Sequence, residues 1–192
     1  MIDPPRSATP STIALIGYRG SGKSTVGRVL AEALNWEFSD ADERVEERAG
    51  KSIAAIFAED GEPRFRDLEA SVLGELLGES ERVIATGGGV ILRPENRLAL
   101  VQNAYVVWLN ATAESLWERL QTDPSTSTRR PALASGGFEE VRTLLAAREP
   151  WYHESATIEF NVEGRTPVEI TADILAAWFE WAARRPIPPS PR

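Results

Sequence analysis

Cysteine is absent from all 192 residues, which excludes disulfides, thiolate metal sites and a cysteine nucleophile. Histidine is almost as scarce: His153 stands alone, has no second imidazole to form a metal pair, and is expected at the surface. Long apolar runs are missing too, since no stretch approaches the roughly 18 residues that a membrane span requires. The start, Met1 to Arg6, has neither the basic flank nor the apolar run of a secretory leader. The cytoplasm is therefore the expected location, with no membrane partner. Positive charge is in deficit: 21 Lys and Arg stand against 29 Asp and Glu, a formal net charge of -8 that repels a polyanion at long range. No dense basic run offsets it, so no nucleic acid partner is expected. The arginines are nonetheless scattered where a folded pocket could collect several, and such a pocket can hold a small anion inside an acidic protein.

A chain of this length suits one domain that buries enough apolar surface to fold unaided. Pro, Ser and Thr crowd residues 1–11, and four prolines fall within 185–192. Both are expected to be disordered tails around a domain at 12–184. Within it, short runs rich in β-branched and aromatic residues predict strands at Thr12–Ile16, Trp36–Ser39, Arg82–Ala85, Tyr105–Leu109 and Thr157–Val162. Helical patterns separate them. Val26, Val29, Leu30, Ala33 and Leu34 form one apolar stripe, Ser52 is placed to cap a helix carrying Ile53 and Ile56, and Ile170, Ile174, Leu175 and Trp178 mark a last amphipathic helix. Such alternation predicts an α/β fold with a parallel sheet covered on both faces.

Gly17-Tyr18-Arg19-Gly20-Ser21-Gly22-Lys23-Ser24 fits G-x-x-x-x-G-K-[ST] and lies between a strand and a helix, the context this P-loop motif needs. The glycines let successive backbone N–H groups of Gly20, Ser21, Gly22, Lys23, Ser24 and Thr25 turn toward phosphate at a helix N-terminus. Lys23 adds a full charge for the β- and γ-phosphates, and the Ser24 hydroxyl suits Mg²⁺. No Asn-Lys-x-Asp segment is present to select guanine. These residues predict an ATP site.

The third strand runs into Ala85-Thr86-Gly87-Gly88-Gly89 without the acid that many P-loop proteins place there. Asp40 and Asp42 follow the second strand instead. Asp40 is assigned to Mg²⁺ through water, and Asp42 can face an acceptor alcohol as hydrogen-bond partner and general base. Either carboxylate could alternatively cap the helix beginning near Glu43. Gly87, Gly88 and Gly89 could admit a ligand close to the backbone, or could be a flexible turn. From 122 to 137 the chain is polar and turn-rich, with Arg129-Arg130-Pro131 within it. A loop this long is expected to be a mobile lid, with a surface insertion as the alternative.

Taken in order, these motifs resemble the shikimate kinase family. They are the P-loop, Asp40 and Asp42, Glu62-Pro63-Arg64-Phe65-Arg66, Gly87-Gly88-Gly89, Arg130-Pro131, and Arg148 before Tyr152. The likeness runs from about Ile13 to Pro167. It implies a P-loop three-layer sandwich with strand order 2-3-1-4-5, a substrate-binding subdomain at 41–70 and a lid at 122–137. It implies Mg²⁺-dependent transfer of the γ-phosphate of ATP to the 3-hydroxyl of shikimate, a step toward chorismate and the aromatic amino acids, by a monomer. On this likeness Asp42, Arg66, Arg148 and the glycine run with Gly88 bind shikimate, the arginines on its carboxylate. Lid Arg130 covers the transferring phosphate, and Arg165 lies on the adenine side, where Arg119 could join it. Another small-metabolite kinase, acting on gluconate or a nucleotide, and a low-turnover nucleotide-binding regulator are the rival readings.

Overall fold

The computed structural model describes residues 11–122 and 137–184. The expected tails lie outside them except for Ser11, as does the expected lid except for its end residues, and Arg130 with it.

Five strands, β1 Thr12–Ile16, β2 Glu37–Asp40, β3 Arg82–Ala85, β4 Tyr105–Asn110 and β5 Ile158–Asn161, form one sheet in the order β2-β3-β1-β4-β5. Every neighbouring pair is parallel. The helices are α1 Lys23–Leu34, α2 Ala41–Ala49, α3 Ile53–Glu59, α4 Gly61–Leu77, α5 Pro94–Asn103, α6 Ala113–Thr122, α7 Gly137–Ser155 and α8 Pro167–Ala183. Alternation along the strands feeds two cores, because successive side chains point to opposite faces. Ala14, Ile16, Ile84, Val106 and Trp108 pack with α2 to α5 and α7. Ile13, Leu15, Val83, Val107 and Leu109 pack with α1, α6 and α8. The sheet is thus sandwiched, as the alternating pattern predicts.

Two local expectations shift by a residue. Trp36 does not open β2, because its N–H closes the end of α1 on the Ala31 carbonyl at 2.9 Å. The strand begins at Glu37 and ends on Asp40, which becomes the residue capping α2. The buried stripe of α1 is also rotated. It runs through Val26, Gly27, Leu30 and Ala31 and leaves Ala33 exposed, since α8 covers the flank that the sheet does not. Ser52 does cap α3, accepting from the Ala55 N–H at 3.2 Å, and β5 is shorter than expected at both ends. Among the described residues no helix is long and apolar enough to cross a membrane.

Candidate active site

In an open parallel sheet the loops beyond the carboxyl ends of the strands converge, and ligands bind in that crevice. Here the glycine-rich loop leaves β1 at the centre, Asp40 ends β2 and Asp42 lies just beyond it, Thr86 to Gly89 lie beyond β3, and Val162 to Arg165 beyond β5. A cleft of about 650 Å³ lies over this edge. Strand order separates its two ends: the acids and the glycine run are on the β2 and β3 side of the loop, while Arg119 and Arg165 are on the β5 side. Five cationic side chains, Arg19, Lys23, Arg119, Arg148 and Arg165, face three carboxylates, Asp40, Asp42 and Glu43. The pocket is therefore locally positive inside a chain of net charge -8, which concentrates small anions there.

The loop adopts a conformation its glycines make possible. Gly20 and Gly22 have φ of 82° and 89°, in the left-handed region that side chains disfavour. Gly22 stands at the N-cap of α1 with no side chain to occupy the helix's first N–H groups, so these point to the cleft. Lys23 is 8 % exposed and folds back over the loop, its Nζ donating to the carbonyls of Gly17 at 2.9 Å and Tyr18 at 2.8 Å.

Asp40 has two tasks. Its Oδ1 accepts from the backbone N–H of Asp42 at 3.0 Å and of Glu43 at 3.4 Å, capping α2. Its Oδ2 accepts from the Ser24 hydroxyl at 2.6 Å. The capping and metal-side readings of Asp40 are thus compatible, one for each oxygen. With its backbone held by that cap, Asp42 extends from the first turn of α2 into the cleft.

The glycine run serves the protein's own side chains. A methyl group at Gly87 would sit 2.7 Å from Asp42 Oδ1 and 2.8 Å from Glu69 Oε1, and one at Gly89 would sit 2.6 Å from an Arg66 guanidinium nitrogen. Any side chain there would collide with three charged groups. Gly88 lines the cleft, and its carbonyl accepts from the Tyr152 hydroxyl at 2.7 Å and from Arg148 at 3.4 Å. Burial pushes the Tyr152 hydroxyl well above its ordinary range despite the nearby Arg148 charge, so it remains a neutral donor.

Arg66, expected on the acceptor carboxylate, lies beside Gly89, clasped by Glu62 at 3.0 Å and Glu69 at 2.8 Å. Burial alone would lower its pKa, but the two carboxylates, Glu69 foremost, raise it on balance. Glu69 is 2 % exposed. Removing one member of a buried pair leaves the other charge desolvated, so Arg66→Ala is expected to cost about 3 kcal/mol and to lower the melting temperature by roughly 6–12 °C. A calorimetric shift below about 2 °C would show that the pair contributes little.

Arg119 donates to the carbonyls of Gly20 at 3.4 Å and Val162 at 3.2 Å, joining the P-loop to the end of β5. Arg165 lines the same end and is held by Asp173 at 2.5 Å and the Glu169 carbonyl at 3.2 Å. His153 is exposed, 3.7 Å from Glu159. Sequence reasoning missed Glu69, Tyr18, Thr86 and the role of Tyr152. The spacing of Glu62 and Glu69 at four before and three after Arg66 on one helix signals that clasp. No local signal marks the other three.

A family model described as shikimate kinase matches residues 19–178. The shikimate kinase of Rhodopirellula baltica is 41% identical over 169 residues, 88% of this chain and 90% of the relative. Among solved structures, the shikimate kinase from Acinetobacter baumannii in complex with shikimate aligns with a TM-score of 0.84 at 36% identity, over 90% of this chain and 94% of that one. A gluconokinase from Sinorhizobium meliloti aligns with a TM-score of 0.59 at 23% identity, over 92% and 95% of the two chains, a likeness of fold alone.

Proposed function

The chain belongs to the shikimate kinase family, and from that membership we propose how its cleft moves the γ-phosphate of ATP onto the 3-hydroxyl of shikimate, giving shikimate 3-phosphate and ADP. ATP lies along the P-loop with adenine toward Arg119 and Arg165 and the γ-phosphate toward β2 and β3. Shikimate lies beyond it, its carboxylate on Arg148 and its hydroxyls toward Asp42 and the Gly88 backbone. Guanidinium matches carboxylate geometrically, and a carboxylate is the side chain on that wall able to accept an alcohol's proton. Arg66, fixed beside Gly89 by Glu62 and Glu69, is the second guanidinium assigned to the shikimate carboxylate.

In the transfer, Asp42 takes the proton as the 3-oxygen forms its bond to the γ-phosphorus and the bond to the β,γ-bridging oxygen breaks, releasing ADP. Lys23 exchanges two carbonyl partners for phosphate oxygens, and the N–H groups of Gly20 to Thr25 hold the remaining phosphate charge. Arg130, outside the described residues, is assigned to cover the transferring group. The oxygen donors of Ser24 and Asp40, 2.6 Å apart, fit a hard cation, and among the described residues no group of three acidic or histidine side chains could cage one. Mg²⁺ held by Ser24, by Asp40 through water and by the nucleotide would neutralise the β- and γ-oxygens.

The observation that carries this reading is one positive cleft in which Lys23, Asp42 and Arg148 meet. Coupled measurement of ADP release is expected to show Mg²⁺-dependent turnover stimulated by shikimate. Stimulation by gluconate or a nucleoside monophosphate with no response to shikimate would transfer the acceptor assignment to the rival. ATP binding without acceptor-stimulated release would leave a nucleotide-binding regulator.

A further inference from the structure

Arg66 and Arg148 are held in opposite ways. Arg66 has two carboxylate partners, which fix its guanidinium and largely cancel its charge. Arg148 forms no ion pair among the described residues; its hydrogen bond to the Gly88 carbonyl is long at 3.4 Å, that carbonyl is already engaged by Tyr152 at 2.7 Å, and the neutral Tyr152 hydroxyl is its other polar neighbour. What lies beside Arg148 is the ring of Tyr18, with the guanidinium carbon 5.5 Å from the ring centroid. Tyr18 is the aromatic residue of the P-loop, 5 % exposed and on the cleft wall. Burial pushes its hydroxyl pKa up against the opposing effect of Arg148 and Arg19, so the ring meets Arg148 as a neutral π face and not as a phenolate. A π face attracts a guanidinium and limits its orientation without neutralising it. Through its carbonyl the same residue accepts from Lys23 at 2.8 Å, so one loop position touches both the phosphate-binding cation and the acceptor-side cation.

We propose that Tyr18 is a positioning residue for the acceptor: its ring holds the Arg148 guanidinium in place on the cleft wall while leaving its charge available to the shikimate carboxylate. The proposal rests on the assignment of Arg148 to that carboxylate. It makes Tyr18 a determinant of acceptor affinity rather than of phosphoryl transfer.

Steady-state kinetics with both substrates varied test it. Tyr18→Leu is expected to raise the shikimate KM about three- to tenfold, with kcat and the ATP KM within about twofold. Tyr18→Phe, which keeps the ring, should restore the shikimate KM to within about twofold of the parent. In an Arg148→Ala background, Tyr18→Leu should add nothing, because the group it positions is gone. Should leucine lower the melting temperature into the assay range, Tyr18→Met, similar in volume and also without a ring, makes the same comparison. An unchanged shikimate KM in the ringless variants, an equal rise in Tyr18→Phe, or a full additional rise in the Arg148→Ala background would each overturn the proposal. A parent enzyme that turns over shikimate while Arg148→Ala keeps a normal shikimate KM would defeat the carboxylate assignment and this proposal with it. No shikimate turnover by the parent would instead defeat the proposed function.

Discussion

Lys23→Ala is expected to lower kcat by about 10³-fold in a protein that still folds. The reaction is positioning and charge stabilisation, so the ammonium that follows the β- and γ-phosphates carries a large share of it. In the structure its Nζ donates to two main-chain carbonyls of its own loop, at 2.9 and 2.8 Å. Exchanging carbonyls for phosphate oxygens costs little, because a charge-assisted contact with an anion replaces contacts with neutral dipoles. Truncation also strips those carbonyls of their donor. That costs about 1–2 kcal/mol and a few degrees of melting temperature, far too little to unfold the chain. Calorimetry together with single-turnover ADP formation separates the two effects. A turnover number within about tenfold of the parent would remove Lys23 from the chemistry.

Asp42→Asn is expected to reduce kcat by about 10²- to 10⁴-fold with a much smaller change in the shikimate KM. The amide keeps the shape that Gly87 accommodates, where a methyl group would come within 2.7 Å of Oδ1, and it keeps the ability to hydrogen-bond an alcohol. What it loses is the capacity to take the proton. A fall in kcat of less than about tenfold would mean that Asp42 orients the hydroxyl without acting as base. An equal fall in kcat and rise in KM would place its contribution in binding as well as in chemistry.

These two residues also show how far the site was legible before folding was considered. Lys23 belongs to eight consecutive residues whose conformation is dictated by their own glycines and by the helix they start, so nearest neighbours suffice to assign it. Asp42 could be placed at the sheet edge but not separated from a capping role. The cap is Asp40, and this is decided where Trp36 closes α1 and shifts β2 along by one residue. The stripe of α1 misled by the same amount, because a helix lying between sheet and α8 buries a broader face than a single 3.6-residue period describes.

Arg66 and Arg148 look alike in the chain, each an arginine in a helical segment before an aromatic or acidic neighbour. Glu69 neutralises one at 2.8 Å, and the ring of Tyr18, 130 positions earlier, faces the other at 5.5 Å. Local sequence determined what depends on adjacent residues: the phosphate-binding loop, the alternation that feeds two cores, the absence of thiol chemistry, and the acid pair at the end of β2. Only tertiary structure decided which cations keep their charge and which glycines make room for carboxylates. Those outcomes depend on groups far apart in the chain meeting where water is excluded, and pairing and desolvation there follow distance in space, which sequence separation does not encode.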